Sequence, residues 1–214
     1  MNQVERIFEA SEGIEDFSKK YFSYLYELLQ NLDTGSITAF VEQLEKARER
    51  GSTIFVAGNG GSGATASHMA NDIGTDIRKK SGSDVPFRVM SLADSSPVML
   101  AVANDDGYNR VFVNQLRIHY RPGDILIVIS ASGNSPNLVE AAKWMKERGE
   151  TVMSLIGFDG GALKGLSDVD IHVKTSKGEY GPVEDVHMVM DHLIANYLQY
   201  KILKESRIAT GAAV

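Results

Sequence analysis

The 214-residue chain predicts an α/β fold: a three-layer α/β/α sandwich with a five-stranded parallel sheet, preceded by N-terminal helices. Three observations carry this expectation. From Thr53 onward, short β-branched runs alternate with helical patterns, which calls for parallel pairing with crossovers on both faces. The strand-like runs are bounded by Gly, Asp or Ser, as buried strands commonly are. Two of them end in Gly- or Ser-rich turns that open helices, at the sheet edge where this architecture binds ligands.

Before the first strand, Ile14, Phe17, Tyr21, Phe22, Leu25, Leu28, Leu29 and Leu32 recur at three and four, predicting an amphipathic helix over 14–32. Ser36 is read as the N-cap of a second helix carrying Ile37, Phe40, Val41 and Leu44 and ended by Gly51. Residues 1–51 are thus expected to be a helical hairpin for oligomerisation, 52–206 the α/β domain, and 207–214 a disordered tail. Strands are predicted at 53–57, 87–92, 124–130, 151–157 and 169–173. Helices are predicted at about 62–80, 96–103, 108–120 and 135–148, with a short one near 162–165 and a last one from Pro182 to about Glu205.

A formal net charge of -6 argues against nonspecific binding to nucleic acid or to an acidic membrane surface. No cysteine is present, so disulfides and thiolate chemistry are excluded and His and carboxylates are the strong metal ligands. No apolar run approaches membrane-spanning length and the first residues lack a leader pattern, so the chain is expected to be cytoplasmic.

The stretch T-I-F-V-A-G-N-G-G-S-G-A-T-A-S-H-M-A-N-D-I, 53–73, carries most of the chemistry. Its turn, with Asn59, Gly60, Gly61 and Ser62, offers backbone N–H groups at a helix N-terminus, where an anion is favoured. His68 and Asp72 follow at i and i+4 on one face. The turn is neither a P-loop nor a dinucleotide fingerprint, so no nucleotide cofactor is indicated. A second loop, Ser130-Ala131-Ser132-Gly133-Asn134-Ser135-Pro136, adds hydroxyls and another helix start, together an uncharged phosphate cradle. The plainer reading is that Ser135 caps its helix while Ser130 and Ser132 satisfy turn amides. Asn104 and Asp105 lie in A-N-D-D-G-Y. The last helix reads G-P-V-E-D-V-H-M-V-M-D-H-L-I, with Glu184, Asp185, His187, Asp191 and His192. At about 100° per residue Glu184 and His192 share one side, and His187 falls away from them. His119 and His172 have no site-like neighbours and read as structural.

In this order, G-N-G-G-S with His68 and Asp72, A-N-D, S-A-S-G-N-S, and a last helix with Glu184, His187 and His192 resemble the SIS (sugar isomerase) domain family of phosphosugar proteins. The resemblance spans nearly the whole chain. It implies a homotetramer with the N-terminal helices in the interface and active sites between subunits. It implies a phosphorylated sugar as substrate, bound by Asn59, Gly60, Gly61, Ser62, Asn104, Asp105, Ser130, Ser132 and Ser135. It also implies a zinc and catalytic cluster of His68, Asp72, Glu184 and His192, with Glu184, Asp72 and His192 as the acid–base residues. The heptose branch of the family interconverts sedoheptulose 7-phosphate and D-glycero-D-manno-heptose 7-phosphate through an enediol. Another sugar phosphate, or a non-catalytic phosphosugar- or partner-binding role, is the alternative. The chain departs from the family at Thr65 (usually Asp), Asp72 (usually Glu), Ala131 (usually Thr) and Glu184 (usually Gln). It also departs near Gly181 and Pro182, where the heptose enzymes carry an acidic substrate ligand. Two carboxylates with two histidines would make a neutral zinc site, and the same residues without metal also suffice as an acid–base set.

Overall fold

A computed structural model describes residues 1–210. Five parallel strands are joined by helices: β1 Thr53–Gly58, β2 Arg88–Ser91, β3 Ile125–Ser130, β4 Val152–Gly157 and β5 Val169–Val173. Their order is β2-β1-β3-β4-β5, and the register pairs Ile54 with Val89 on one side and with Ile125 on the other. In this order the chain moves outward from β1 in one direction and returns to β3 for the other. A crevice therefore opens between the C-terminal ends of β1 and β3, the ligand position of this topology. The sequence-predicted strand ends agree with the observed ones to within a residue or so.

Alternation along the strands sorts the core into two layers. Ile54, Val56, Ile125, Ile127 and Ile129 pack with helices α3 (Thr34–Arg50), α4 (Gly60–Met69) and α10 (Tyr180–Thr210). Phe55, Ala57, Leu126 and Val128 pack on the other face with α7 (Val113–His119), α8 (Pro136–Lys146) and α9 (Gly161–Lys164).

The N-terminal region differs from the expected hairpin in three respects. A further helix, α1 (Gln3–Glu9), precedes α2 (Ile14–Gln30) and starts on a reciprocal capping box between Asn2 and Glu5. The N-cap of α3 is Asp33 rather than Ser36, because the Asp33 carboxylate accepts from Gly35 N–H at 2.9 Å and from the Ser36 hydroxyl at 2.9 Å. And α3 is no separate unit, since Phe40, Leu44 and Ala47 are fully buried in the first core layer. Residue 51 is thus a chain turn and not a packing boundary. At the other end α10 continues through 207–210, expected to be tail, beyond Ile202, its last buried apolar residue. The remainder of the expected tail, 211–214, lies outside the described residues.

Helix α4 does not stop at Met69. A π-helical segment, Ala70–Asp76, carries it into α5 (Ile77–Ser81). Such segments are rare, and here one holds Asp72.

Candidate active site

Two helices begin at the β1/β3 crevice, and neither has a side-chain cap. Asn59 is the N-cap of α4, but its side chain makes no capping bond. Instead its amide pairs reciprocally with Asn137, at 2.9 and 2.8 Å, and accepts from the Tyr108 hydroxyl at 2.9 Å. Ser135, the N-cap of α8, likewise makes no side-chain cap. Neither first turn holds an acidic residue. The free N–H groups at the start of α4 and the dipoles of both helices are therefore left for an anion arriving in the crevice; at the start of α8, Pro136 has no N–H and the Leu138 N–H is taken by Asn137 Oδ1 at 3.0 Å.

The pocket there is lined by Asn59, Ser62, Ser130, Ser132, Ser135, Tyr180 and Glu184 among others, and no lysine or arginine contributes to it among the described residues. Ser130 and Ser132 accept from the Gly133 and Asn134 amides at 3.1 and 3.3 Å, so they also do the turn-satisfying work of the plainer reading. A larger groove between α1 and α2, lined by residues such as Arg6 and Tyr24, has no connection to the strand ends.

Asn137 is buried and holds Asn59 away from the helix it would otherwise cap. Asn137→Ala is expected to release Asn59 to compete with the anion. Sugar-phosphate affinity should weaken about tenfold by calorimetry, the scale of one or two hydrogen bonds of about 1 kcal/mol; an unchanged affinity contradicts the role.

Glu184 enters from α10. Its carboxylate lies against Gly61, so closely that a β-carbon there would meet Glu184 Oε2 at 2.2 Å. Partial burial, and secondarily the neighbouring Asp185 charge, raise its pKa. Asp185 itself accepts from the Tyr21 hydroxyl of α2 at 2.7 Å, which ties the N-terminal helices to the first turn of α10.

One helical span further along, α4 and α10 bring together a second group. His68 Nε2 lies 3.4 Å from Asp72 Oδ2 and 3.1 Å from His192 Nε2, and His192 Nε2 lies 3.9 Å from the same Asp72 oxygen. Asp191 completes it: one ligand atom from each of His68, Asp72, Asp191 and His192 falls within 4.8 Å of the others. Asp191 has no exposed surface, and neither carboxylate oxygen has a hydrogen-bond partner. Burial first, then the Asp72 charge, push its pKa up to about 7. Two imidazole nitrogens face to face and two carboxylates suit a divalent cation, which would satisfy all four.

The expected site residues thus fall into three sets. Asn59, Ser62, Ser130, Ser132, Ser135 and Glu184 share the pocket, with Gly60 and Gly61 in its α4 turn. His68, Asp72 and His192 form the cluster, but Glu184, expected as their fourth partner, is not in it, and Asp191 is. The cause is helical rise: eight residues put Glu184 and His192 about 12 Å apart along α10. Asn104 and Asp105 sit at the end of α6 (Ser96–Asp105), exposed and hydrogen-bonded to each other at 2.7 Å, outside the pocket lining. Their turn reaches the pocket through Tyr108 instead.

His187 points to the sheet side, fully buried, and burial lowers its pKa to about 4. His172 bonds the Phe158 carbonyl at 2.9 Å. The acidic residue nearest the start of α10 is Glu179, and it is committed elsewhere: it is buried, accepts from Tyr24 hydroxyl at 2.7 Å and Ser176 N–H at 3.1 Å, and also takes Gln3 N–H. Sequence reading missed Tyr108, Asn137 and Tyr180, and gave Asp191 no role. For Asp191 a signal existed, since an Asp in the apolar run M-V-M-D-H-L-I falls on the buried stripe of its helix.

Paired helix N-termini at a switch point beside a cluster of two His and two Asp define an α/β protein with an anion-binding crevice. The sequence pattern of the SIS domain matches residues 20–157, and the chain belongs to that family. Within it, the similarity is to phosphoheptose isomerases. That of Chlorobium phaeobacteroides is 33% identical over 183 residues, covering 85% of this chain and 80% of the relative. That of Nitratidesulfovibrio vulgaris is 32% identical over 185 residues, 86% of this chain and 82% of the relative. Among solved structures, phosphoheptose isomerase from Neisseria gonorrhoeae matches with a TM-score of 0.76 at 26% identity, over 88% of this chain and 100% of that one. The Francisella tularensis phosphoheptose isomerase shares the fold with a TM-score of 0.74, over 94% and 100%, at 22% identity.

Proposed function

We propose that this chain is a phosphoheptose isomerase that interconverts sedoheptulose 7-phosphate and D-glycero-D-manno-heptose 7-phosphate in the cytoplasm. The observation that carries the reading is the convergence, in one pocket, of two uncapped helix N-termini with a half-buried carboxylate. The phosphate sits on the N-termini and serine hydroxyls, anchoring the sugar by groups remote from the reacting carbons. Glu184 removes the carbon-bound proton, and burial, then the Asp185 charge, raise its pKa above the ordinary Glu value, which makes it a stronger base than an exposed carboxylate. Without a metal, Asp72 is a second carboxylate available for that role and His192 protonates or orients the oxygen; with a metal held, both would be ligands and Glu184 alone would be the base.

Seven residues of α4 separate Gly61, beside Glu184, from His68, about 10 Å of axial rise. Helical side chains lean toward the N-terminus, so the cluster and Glu184 bracket one short carbon chain. Zinc, bound by His68, His192 and carboxylates, would supply a Lewis acid that polarises the sugar carbonyl. A panel of ketose phosphates, followed by NMR, tests the substrate: turnover of sedoheptulose 7-phosphate above the others is expected, and turnover of another sugar alone refutes the heptose.

The working protein is a homotetramer built on the N-terminal helices. Support comes from α1 and α2, which expose Phe8 (67%), Ile14 (79%), Phe22 (65%) and Tyr26 (65%), too much apolar surface on one side to stay wet. Phe22→Asp should reduce the mass found by light scattering from four chains to one or two; a four-chain mass in the variant contradicts this interface.

A further inference from the structure

We infer that Asp191, and not Glu184, is the fourth protein ligand of the metal, so that the cation is held by His68, Asp72, Asp191 and His192 while Glu184 stays unligated. This deepens the isomerase reading and rests on it only for the consequence drawn for Glu184; the ligand set stands on geometry alone. The four donors already lie within 4.8 Å of one another. Asp191 is fully enclosed, neither of its oxygens has a hydrogen-bond partner, and one of them lies within 4.8 Å of the other three ligand atoms. A buried carboxylate without partners is costly unless it meets a cation. The same holds between the rings, where His68 and His192 present Nε2 atoms to each other at 3.1 Å, a separation that a proton or a metal must bridge.

The site compensates for a shortened ligand. Asp72 reaches one methylene less far than a Glu would, and Asp191 supplies a carboxylate from the opposite helix. Two carboxylates neutralise a divalent ion, so the cluster needs no further charge. Glu184 is thereby left against Gly61 in the pocket, its carboxylate free to take up a proton, which a metal-bound carboxylate does poorly.

Zinc titration of the full chain stripped of metal, read by calorimetry and by competition with a chromophoric chelator, tests this without reference to turnover. Wild type should bind one zinc per chain. Asp191→Asn, and Asp191→Ser as a second variant, should weaken zinc at least about tenfold, whereas Glu184→Ala, which removes every donor atom at that position, should stay within about threefold of wild type. Zinc should raise the melting temperature of wild type and of Glu184→Ala but not of the Asp191 variants. Metal-free Asp191→Asn should melt no lower than metal-free wild type, because it loses a buried charge beside Asp72; a purely structural Asp191 would reverse that order. The assignment is overturned if Glu184→Ala loses zinc as Asp191→Asn does, if the Asp191 variants bind zinc like wild type, or if wild type binds none. The isomerase reading fails separately, by absence of turnover in protein shown to hold its metal.

Discussion

Glu184→Gln is expected to lower kcat by about 10²- to 10⁴-fold, the usual contribution of a positioned general base, while sugar-phosphate affinity changes less than about threefold. The separation follows from where the groups sit. In the proposed complex the phosphate lies on the starts of α4 and α8 and on the serine loop, which keep their conformation without the Glu184 charge. Glutamine keeps the shape of the side chain against Gly61 but accepts no proton. The pH dependence gives a second readout. A base must be deprotonated, so wild-type activity rises with pH through a pKa that burial, and then Asp185, hold above the ordinary Glu value. That limb should vanish in the variant. Stopped-assay kinetics across pH with parallel calorimetry distinguish the outcomes, and undiminished turnover would remove Glu184 from the mechanism.

Two glycines three residues apart on the β1–α4 connection, Gly58 and Gly61, should respond differently to the same added methyl. At Gly58 a β-carbon would meet the Ser62 carbonyl oxygen at 2.3 Å and carbon at 2.5 Å, both backbone, so the turn itself must open. Gly58→Ala should cost about 3 kcal/mol or more of stability, in the range of forced overpacking and strain. At Gly61 the β-carbon would meet only the end of the Glu184 side chain, at 2.2 Å to Oε2, and that carboxylate can swing aside. Alanine also suits a helical position better than glycine. Gly61→Ala should therefore leave the melting temperature within about 3 °C of wild type while cutting kcat about 10²-fold or more, since a displaced base loses its alignment. Thermal unfolding and kinetics on both variants check the pair; a Gly61→Ala enzyme with full activity would place Glu184 outside the reaction.

The sheet was legible because the strands are short apolar runs bounded by Gly, Asp or Ser, and in the central strands β1, β3 and β4 burial on both faces leaves such runs little freedom. The two anion loops were legible for a related reason: a Gly- or Ser-rich turn between strand and helix has few other uses. What escaped were features decided by side chains meeting across the fold. Asn59 looks like a cap in sequence, and only the partnership with Asn137 and Tyr108 shows that it leaves α4 uncapped. Glu184 and His192 share a face of α10, but angle without axial distance suggested one cluster where the structure forms two neighbouring ones. Asp191 was visible as a carboxylate on an apolar stripe, yet its meaning depends on His68 and Asp72 arriving from α4. Some local signals were simply passed over, among them the N-Q-V-E capping box that starts α1 and the Asp33 that caps α3.

The central claim is that the paired helix N-termini and Glu184 serve one aldose–ketose isomerisation of a heptose 7-phosphate. NMR of sedoheptulose 7-phosphate incubated with the purified chain, with and without added zinc, tests it most directly. The account predicts the appearance of D-glycero-D-manno-heptose 7-phosphate up to an equilibrium mixture with wild type, and its near-absence over the same period with Glu184→Gln; no conversion by wild type under either condition would contradict it.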